Sequence, residues 1–306
     1  MPAVETTATS DLTSIIAAAS DECAIPEIRT LAEALHQRYG DATLGVLAYG
    51  SCLRGVDPGD TLVDLYVLVS SYRDAHGGRI EAAANRLLPP NVYYLEHLDG
   101  ARTLRSKYAV VALDQFARRV SAITSNPYFW ARFTQPCALV YVRDDDAKAE
   151  IHNALSTAAR TAYPHGRALA GPEADWRSVW TALLSATYGT ELRPESTERA
   201  AGIVTDGELH FERISAALET ERVNSAVEAV QLPNTSWAWR RIAGKALSVG
   251  RLIKAGFTFR GGADYMAWKI SRHSGVTIDV TPWQRRHPIL AALIMAPRLY
   301  RKGGFK

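Results

Sequence analysis

Of 306 residues only three are cysteine, Cys23, Cys52 and Cys137, far apart and without CxxC spacing. A disulfide framework and a thiolate zinc site are both excluded as readings, which fits a reducing compartment. Eight histidines form no HExxH or similar ligand pair. Met1 to Ser20 contain no Lys or Arg, so the basic start of a signal peptide and the Arg-rich face of a transit peptide are both lacking. No apolar run approaches the roughly 18–20 residues needed to cross a bilayer. No repeat and no low-complexity tract is visible. The expectation is a cytoplasmic protein, peripheral to the inner face of the membrane.

Charge is present but unevenly spread. The net charge is +3. From Arg240 to Lys306 there are 14 Lys/Arg against two acids, Asp264 and Asp279, so the stretch carries +12 and the rest of the chain −9. Such asymmetry points to an anionic surface as a partner of the C-terminal part. Residues 282–306 enclose a short apolar core, Ile289 to Ala296, between Arg285-Arg286 and Arg298, Arg301 and Lys302, with Trp283 and Tyr300 at its ends. Aromatic rings at headgroup depth with flanking cations characterise interfacial segments. The alternative is a terminal helix docked on the rest of the protein.

Periodicity orders the chain. Residues 26–39 predict a helix: Pro26 suits a first-turn position, Ile28, Leu31, Leu35 and Tyr39 share a face, and Gly40 caps it. Leu44 to Tyr49 reads as a strand ending at Gly50-Ser51, and residues 62–69 (LVDLYVLV) as a buried strand. A helix over 79–88 and strands over 91–96 and 107–113 follow, with an edge strand over 136–143. Beyond residue 147 the pattern is helical: 147–162, 173–188, 196–204, 207–230 and 238–254. The expected architecture is α/β (α+β), with a polymerase-β-type nucleotidyltransferase domain at 1–145, a helical substrate domain at 146–281 and a basic tail at 282–306.

The chemistry centres on Tyr49-Gly50-Ser51 followed, after a loop, by Val63-Asp64-Leu65-Tyr66. Glycine allows close approach of a triphosphate to the backbone. Ser51 and neighbouring N–H groups at a helix start suit phosphate oxygens. A strand-borne Asp64 suits Mg²⁺, which bridges phosphates and neutralises charge at the transferred phosphorus. The usual second carboxylate, two residues further on the same strand face, is replaced by Tyr66. Glu96 on the next strand is the candidate second metal ligand, with Asp60 and Asp99 behind it. Cys52 reads as a small packed residue rather than a nucleophile.

These residues resemble the mitochondrial-type CDP-diacylglycerol synthases, the phosphatidate cytidylyltransferases of the translocator assembly and maintenance family. That family has a Tyr-Gly-Ser-Gly turn and an apolar-Asp-Phe-apolar strand that also lacks the second acid. Val92-Tyr93-Tyr94 and Lys107-Tyr108-Ala109-Val110-Val111 are similar to its Val-Tyr-Tyr and Lys-Tyr-Gly-Val. Asp114, Tyr128 to Arg132 with Gln135-Pro136, and Thr187 to Arg193 with Glu195 and Ile203-Val204 resemble later segments. Lys254-Ala255-Gly256, Tyr265 and Lys269 resemble its C-terminal pattern more weakly. The resemblance spans residues 44–270 with interruptions. Cys52, Ala109 and Ala131 stand where the family has glycine, adding bulk near the expected pocket.

The resemblance implies CTP plus phosphatidate giving CDP-diacylglycerol and pyrophosphate, with Mg²⁺, at an anionic membrane. It implies catalytic roles for Asp64, Ser51 and Lys107, nucleotide contacts from Gly50, Ser51 and Lys107, and substrate contacts from Arg132, Tyr188 and Arg193; Arg132 reads equally as a structural ion pair, and Tyr188, Glu191 and Arg193 as a pocket wall or a helix C-terminal ion pair. No nucleic-acid partner is expected, and no protein partner is specified. The alternatives are a polymerase-β-type nucleotidyltransferase acting on a soluble acceptor and an inactive adaptor of the same fold.

Overall fold

The computed structural model describes residues 11–23, 25–76, 79–191, 197–224, 236–258, 262–264, 267–268, 271 and 280–286. Two helices, α1 (Leu12–Asp21) and α2 (Pro26–Tyr39), precede strand β1 (Thr43–Tyr49). A single 3₁₀ turn, Ser51–Arg54, leads to β2 (Val63–Val69), then α3 (Tyr72–Ala75) and α4 (Arg79–Leu87). Strands β3 (Asn91–Asp99) and β4 (Arg102–Ala112) form a hairpin, followed by α5 (Leu113–Val120), α6 (Tyr128–Phe133) and β5 (Cys137–Val142). The remainder is helical: α7 (Asp145–Ala170), α8 (Trp176–Tyr188), α9 (Thr197–Asp206), α10 (Glu208–Asn224), α11 (Trp237–Thr258) and a short α12 (Pro282–Arg286).

The five strands form one mixed sheet in the order β3-β4-β2-β1-β5. β2 and β4 are parallel, and the other neighbours are antiparallel. Strand side chains alternate between faces, and the two faces meet different helices. Val46, Ala48, Val63, Leu65, Val67, Tyr108 and Val110 join Ile28, Leu31 and Leu35 of α2 in one buried cluster. Leu47, Tyr66, Leu68, Ala109 and Val111 join Phe116 of α5, Phe129, Trp130 and Phe133 of α6, and Ile151, Leu155 and Ala158 of α7 in the other. This second cluster begins at Leu12 and runs on to Leu218 of α10, so the sheet and the helices after residue 145 share one apolar core.

The spacing of α2 is as its sequence indicates: Pro26 lies in the first turn, and Gly40 leaves the helix at φ +55°. α7 departs from expectation. The sequence pattern predicts a helix over 147–162, yet with Pro164 inside it the helix continues to Ala170. A proline inside a helix removes one ladder hydrogen bond. Here small buried residues on both sides of it, Ala158, Ala159, Ala162 and Gly166, pack the helix into the core and hold its course.

Candidate active site

One row across the sheet places the central residues. Tyr49 is the register partner of Asp64, Asp64 of Lys107, and Lys107 of Tyr94. Register partners share a face, so all four side chains leave the sheet on the side of α5–α7. Tyr49 ends β1 and Asp64 is the second residue of β2, which sets the row at the rim of the sheet, where the chain between the two strands makes a tight bend. Gly50 provides that bend with φ +93°, and a Cβ built on it lies 3.2 Å from Asp64 Oδ2. The glycine is needed twice over, for its backbone angle and for the carboxylate in front of it.

Asp64 opens into a cavity of about 230 Å³ lined also by Tyr49, Gly50, Arg54, Tyr128, Ala131, Arg132, Gln135, Thr187, Tyr188, Glu191, Arg199 and Ile203. Burial raises the Asp64 pKa above the ordinary carboxylate value, and the charges of Lys107, Arg132 and Arg54 pull it back. Arg132 of α6 lies between two rings, 4.9 Å from the centroids of Tyr49 and Tyr128. Its Nη2 is 3.8 Å from Glu191, while its buried Nε has no acceptor among the described residues. Arg54 reaches Asp206 of α9 at 3.2 Å and so ties the 3₁₀ turn to the helical part. Burial pushes the Tyr128 phenol up, but Arg132 and Arg251 outweigh it, and its pKa ends below the usual value. Arg251 of α11 stands 4.4 Å over the same ring.

Tyr66, at the position of the missing second acid, is 1% exposed. Its ring packs 4.9 Å from Phe133 and 5.5 Å from Tyr49, and its hydroxyl donates to that of Tyr128 at 3.3 Å. The position belongs to the aromatic core under the cavity and offers no room for a solvated carboxylate.

The expected site residues divide as follows. Asp64, Gly50, Arg132, Tyr188 and Glu191 meet at one cavity. Lys107 is exposed beside it, with its charge felt at Asp64. Ser51 opens the 3₁₀ turn next to the cavity, and the expected helix start is only this four-residue turn. Glu96 is a correction. The sheet order puts β4 between β2 and β3, so Glu96 stands two strands, roughly 10 Å, from the strand of Asp64. There it accepts from Arg105 Nε at 3.0 Å and the Tyr94 hydroxyl at 2.7 Å. Asp60 is exposed in the β1–β2 loop, and Asp99 ends β3 opposite Arg102. Arg193 and residues 287–306 of the expected tail lie outside the described residues. Of the three bulkier replacements for glycine, Ala131 lines the cavity; Cys52 and Ala109 are buried, in the cores on opposite faces of the sheet. Burial pushes the Cys52 thiol up to about 11, as suits a packed residue.

Arg54, Gln135, Arg199 and Tyr128 are lining residues to which sequence reasoning gave no specific role. Arg54 carried one legible signal, a cation three residues after the Gly-Ser pair. Among the described residues no group of three or more His, Cys, Asp or Glu is placed to hold a metal ion. Asp64 alone cannot cage a resident cation. It does suit Mg²⁺ that arrives on a nucleotide, since this ion commonly takes one or two carboxylates and completes its shell with substrate phosphates and water. No family profile and no curated protein matches the chain.

Proposed function

We propose that the chain is a nucleotidyltransferase whose substrate is a magnesium–nucleoside triphosphate bound at Gly50, Asp64 and Lys107. The observation that carries this reading is Asp64 itself. It is a half-buried carboxylate against a glycine bend, with three cations, Lys107, Arg132 and Arg54, acting on it. A lone acid suits the cation of the nucleotide, and the surrounding Lys and Arg groups suit its phosphates. Among the described residues nothing accepts from the buried Arg132 Nε, which supports an anion in the cavity, because a buried donor without an acceptor is costly.

Following the resemblance of its motifs, the nucleotide is CTP and the acceptor phosphatidate, as in phospholipid biosynthesis. An acceptor phosphate oxygen attacks the α-phosphorus in line. The new P–O bond forms as the bond to the β-phosphate oxygen breaks, and pyrophosphate leaves with the electron pair. A phosphate monoester is already anionic near neutral pH, so no general base is required. Lys107 and Arg132 neutralise the phosphates, Gly50 admits them, and Asp64 would hold the magnesium that accompanies them, which would supply charge neutralisation to the phosphates. A cytoplasmic location, peripheral to the inner face of the membrane, accords with this. Among the described residues no helix is long and apolar enough to cross a membrane.

The scarcity of acids near Asp64 favours one second reading, an inactive adaptor of the same fold. Incubating the protein with each labelled nucleoside triphosphate and vesicles with or without phosphatidate separates the two. Radiolabel moving from CTP into lipid only when phosphatidate is present is the expected result. Transfer that ignores phosphatidate removes the lipid acceptor, and no transfer from any nucleotide favours the adaptor.

A further inference from the structure

Strands β2 and β4 are parallel neighbours and end level, with Val69 beside Ala112. Beyond that point the chain leaves them on opposite faces of the sheet. After β2 it passes into α3 and α4, whose Tyr72, Ala75 and Ala82 pack on the α2 side. After β4 it passes into α5, whose Leu113 and Phe116 belong to the core on the other side. In open α/β sheets a crevice forms where neighbouring parallel strands diverge in this way, and ligands bind there. Val69 and Ala112 stand five residues beyond Asp64 and Lys107 on the same strands, so this end of the sheet lies roughly 17 Å from that row.

The crevice is a cavity of about 620 Å³, within the range of small-molecule sites. Tyr72, Ala82, Ala83 and Ala112 give it apolar walls. Arg73 of α3 and Arg86 of α4 line it, and Asp114 and Gln115 line it from α5. Both arginines are exposed, and among the described residues neither has a hydrogen-bond or ion-pair partner. The acid next to Arg73 in the chain, Asp74, is engaged elsewhere. Its Oδ2 accepts from the Ser70 and Ser71 hydroxyls at 3.1 and 2.8 Å. Gln115 Oε1 accepts from the Tyr72 hydroxyl at 3.3 Å, which links the two walls across the end of the sheet.

We propose that this cavity is a second ligand site, one that takes a small organic phosphate. Two guanidinium groups against the one carboxylate of Asp114 suit a dianion. Arginine matches phosphate oxygens with paired, charge-assisted hydrogen bonds. The alanine walls and Tyr72 suit the apolar body that carries the phosphate. Inorganic phosphate alone would leave those walls in water, whereas sites of this volume bury most of an organic ligand. The site shares no lining residue with the cavity at Asp64, so it stands whatever that cavity transfers.

The probe is phenyl phosphate, added to the full isotope-labelled chain and followed in its amide NMR spectrum. Saturable shifts are expected at the amides of residues 70–73, 82–86 and 112–115, with a Kd of about 1 mM or tighter, as suits so small a ligand. Inorganic phosphate is expected to bind about tenfold more weakly or worse. Arg73→Ala/Arg86→Ala removes the cations, and Ala83→Trp fills the cavity. Each is expected to raise the Kd by about tenfold or more, while the rest of the amide spectrum reports an intact fold. A wild type without saturable shifts at these amides overturns the proposal, as do folded variants that bind like the wild type. Shifts confined to the amides around Gly50, Asp64 and Arg132 place the probe in the other cavity and overturn it as well. Inorganic phosphate that binds as tightly as phenyl phosphate overturns the organic ligand.

Discussion

Gly50 and Asp64 constrain each other, and this makes the site testable one atom at a time. Gly50→Ala forces a side chain into φ +93° and puts its Cβ 3.2 Å from Asp64 Oδ2. A folded protein with turnover lowered by at least about a hundredfold is expected, comparable to removing one group that stabilises a transition state. Asp64→Asn is expected to lower turnover at least as much while raising the melting temperature at pH 7. Burial raises the Asp64 pKa, so keeping the carboxylate charged in the folded state costs stability above that pKa, and the cost vanishes as pH falls through it. The stabilisation seen in Asp64→Asn should therefore shrink on acidification; a gain that is constant with pH contradicts this account of the site. Tyr66→Asp restores the missing acid in sequence only. It places a carboxylate among Tyr49, Phe129 and Phe133 and should cost about 3–5 kcal/mol with no gain in activity, read by denaturant unfolding and steady-state rates.

Between elements, the contact of α7 with α8 sets two effects against each other. Gly166→Ala in a helix interior ordinarily gains up to about 1 kcal/mol. Here the new Cβ meets Val179 Cγ1 at 2.8 Å and the Val179 carbonyl oxygen at 2.9 Å. Overpacking costs roughly 1–3 kcal/mol, so a net loss is expected, and a stabilised variant contradicts the packing described. On the same helix His165 is stacked 5.3 Å from Trp130, and burial, with the charge of Arg240, lowers its pKa to about 4. Folded His165 takes up its proton later than unfolded His165 does. Its contribution to stability is whole above about 6.5 and is lost as pH falls towards about 4. A His165→Gln variant should show a flatter melting curve over that window. The element order itself was legible, because each strand and α2 carries its period and its punctuation. The partner of Asp64 was not. Whether β3 or β4 lies beside β2 depends on a crossover that no local pattern encodes, so Glu96 looked near and proved two strands away. α1 went unread because only Leu12, Ile16 and Ser20 of its ten residues are buried, with Ile15 packed beside them.

For the molecule as a whole, uneven charge and shared core act together. One apolar cluster binds the sheet to the helices through α10, while the excess of cations lies from Arg240 onward. The cavity lies between β1, β2 and α6 on one side and α8 and α9 on the other, with Arg251 of α11 over the ring of Tyr128. Arg132 fits this placement. Its sandwich between Tyr49 and Tyr128 could not be foreseen from residues 83 and four positions away in the chain. The central claim is that a single strand-borne carboxylate facing a glycine bend holds the metal of a nucleoside triphosphate. Calorimetric titration of CTP into the wild type and Asp64→Asn, with and without Mg²⁺, addresses it directly. The account predicts Mg²⁺-dependent binding to the wild type and loss of that dependence in a folded Asp64→Asn protein. Equal, Mg²⁺-dependent binding by both proteins contradicts it.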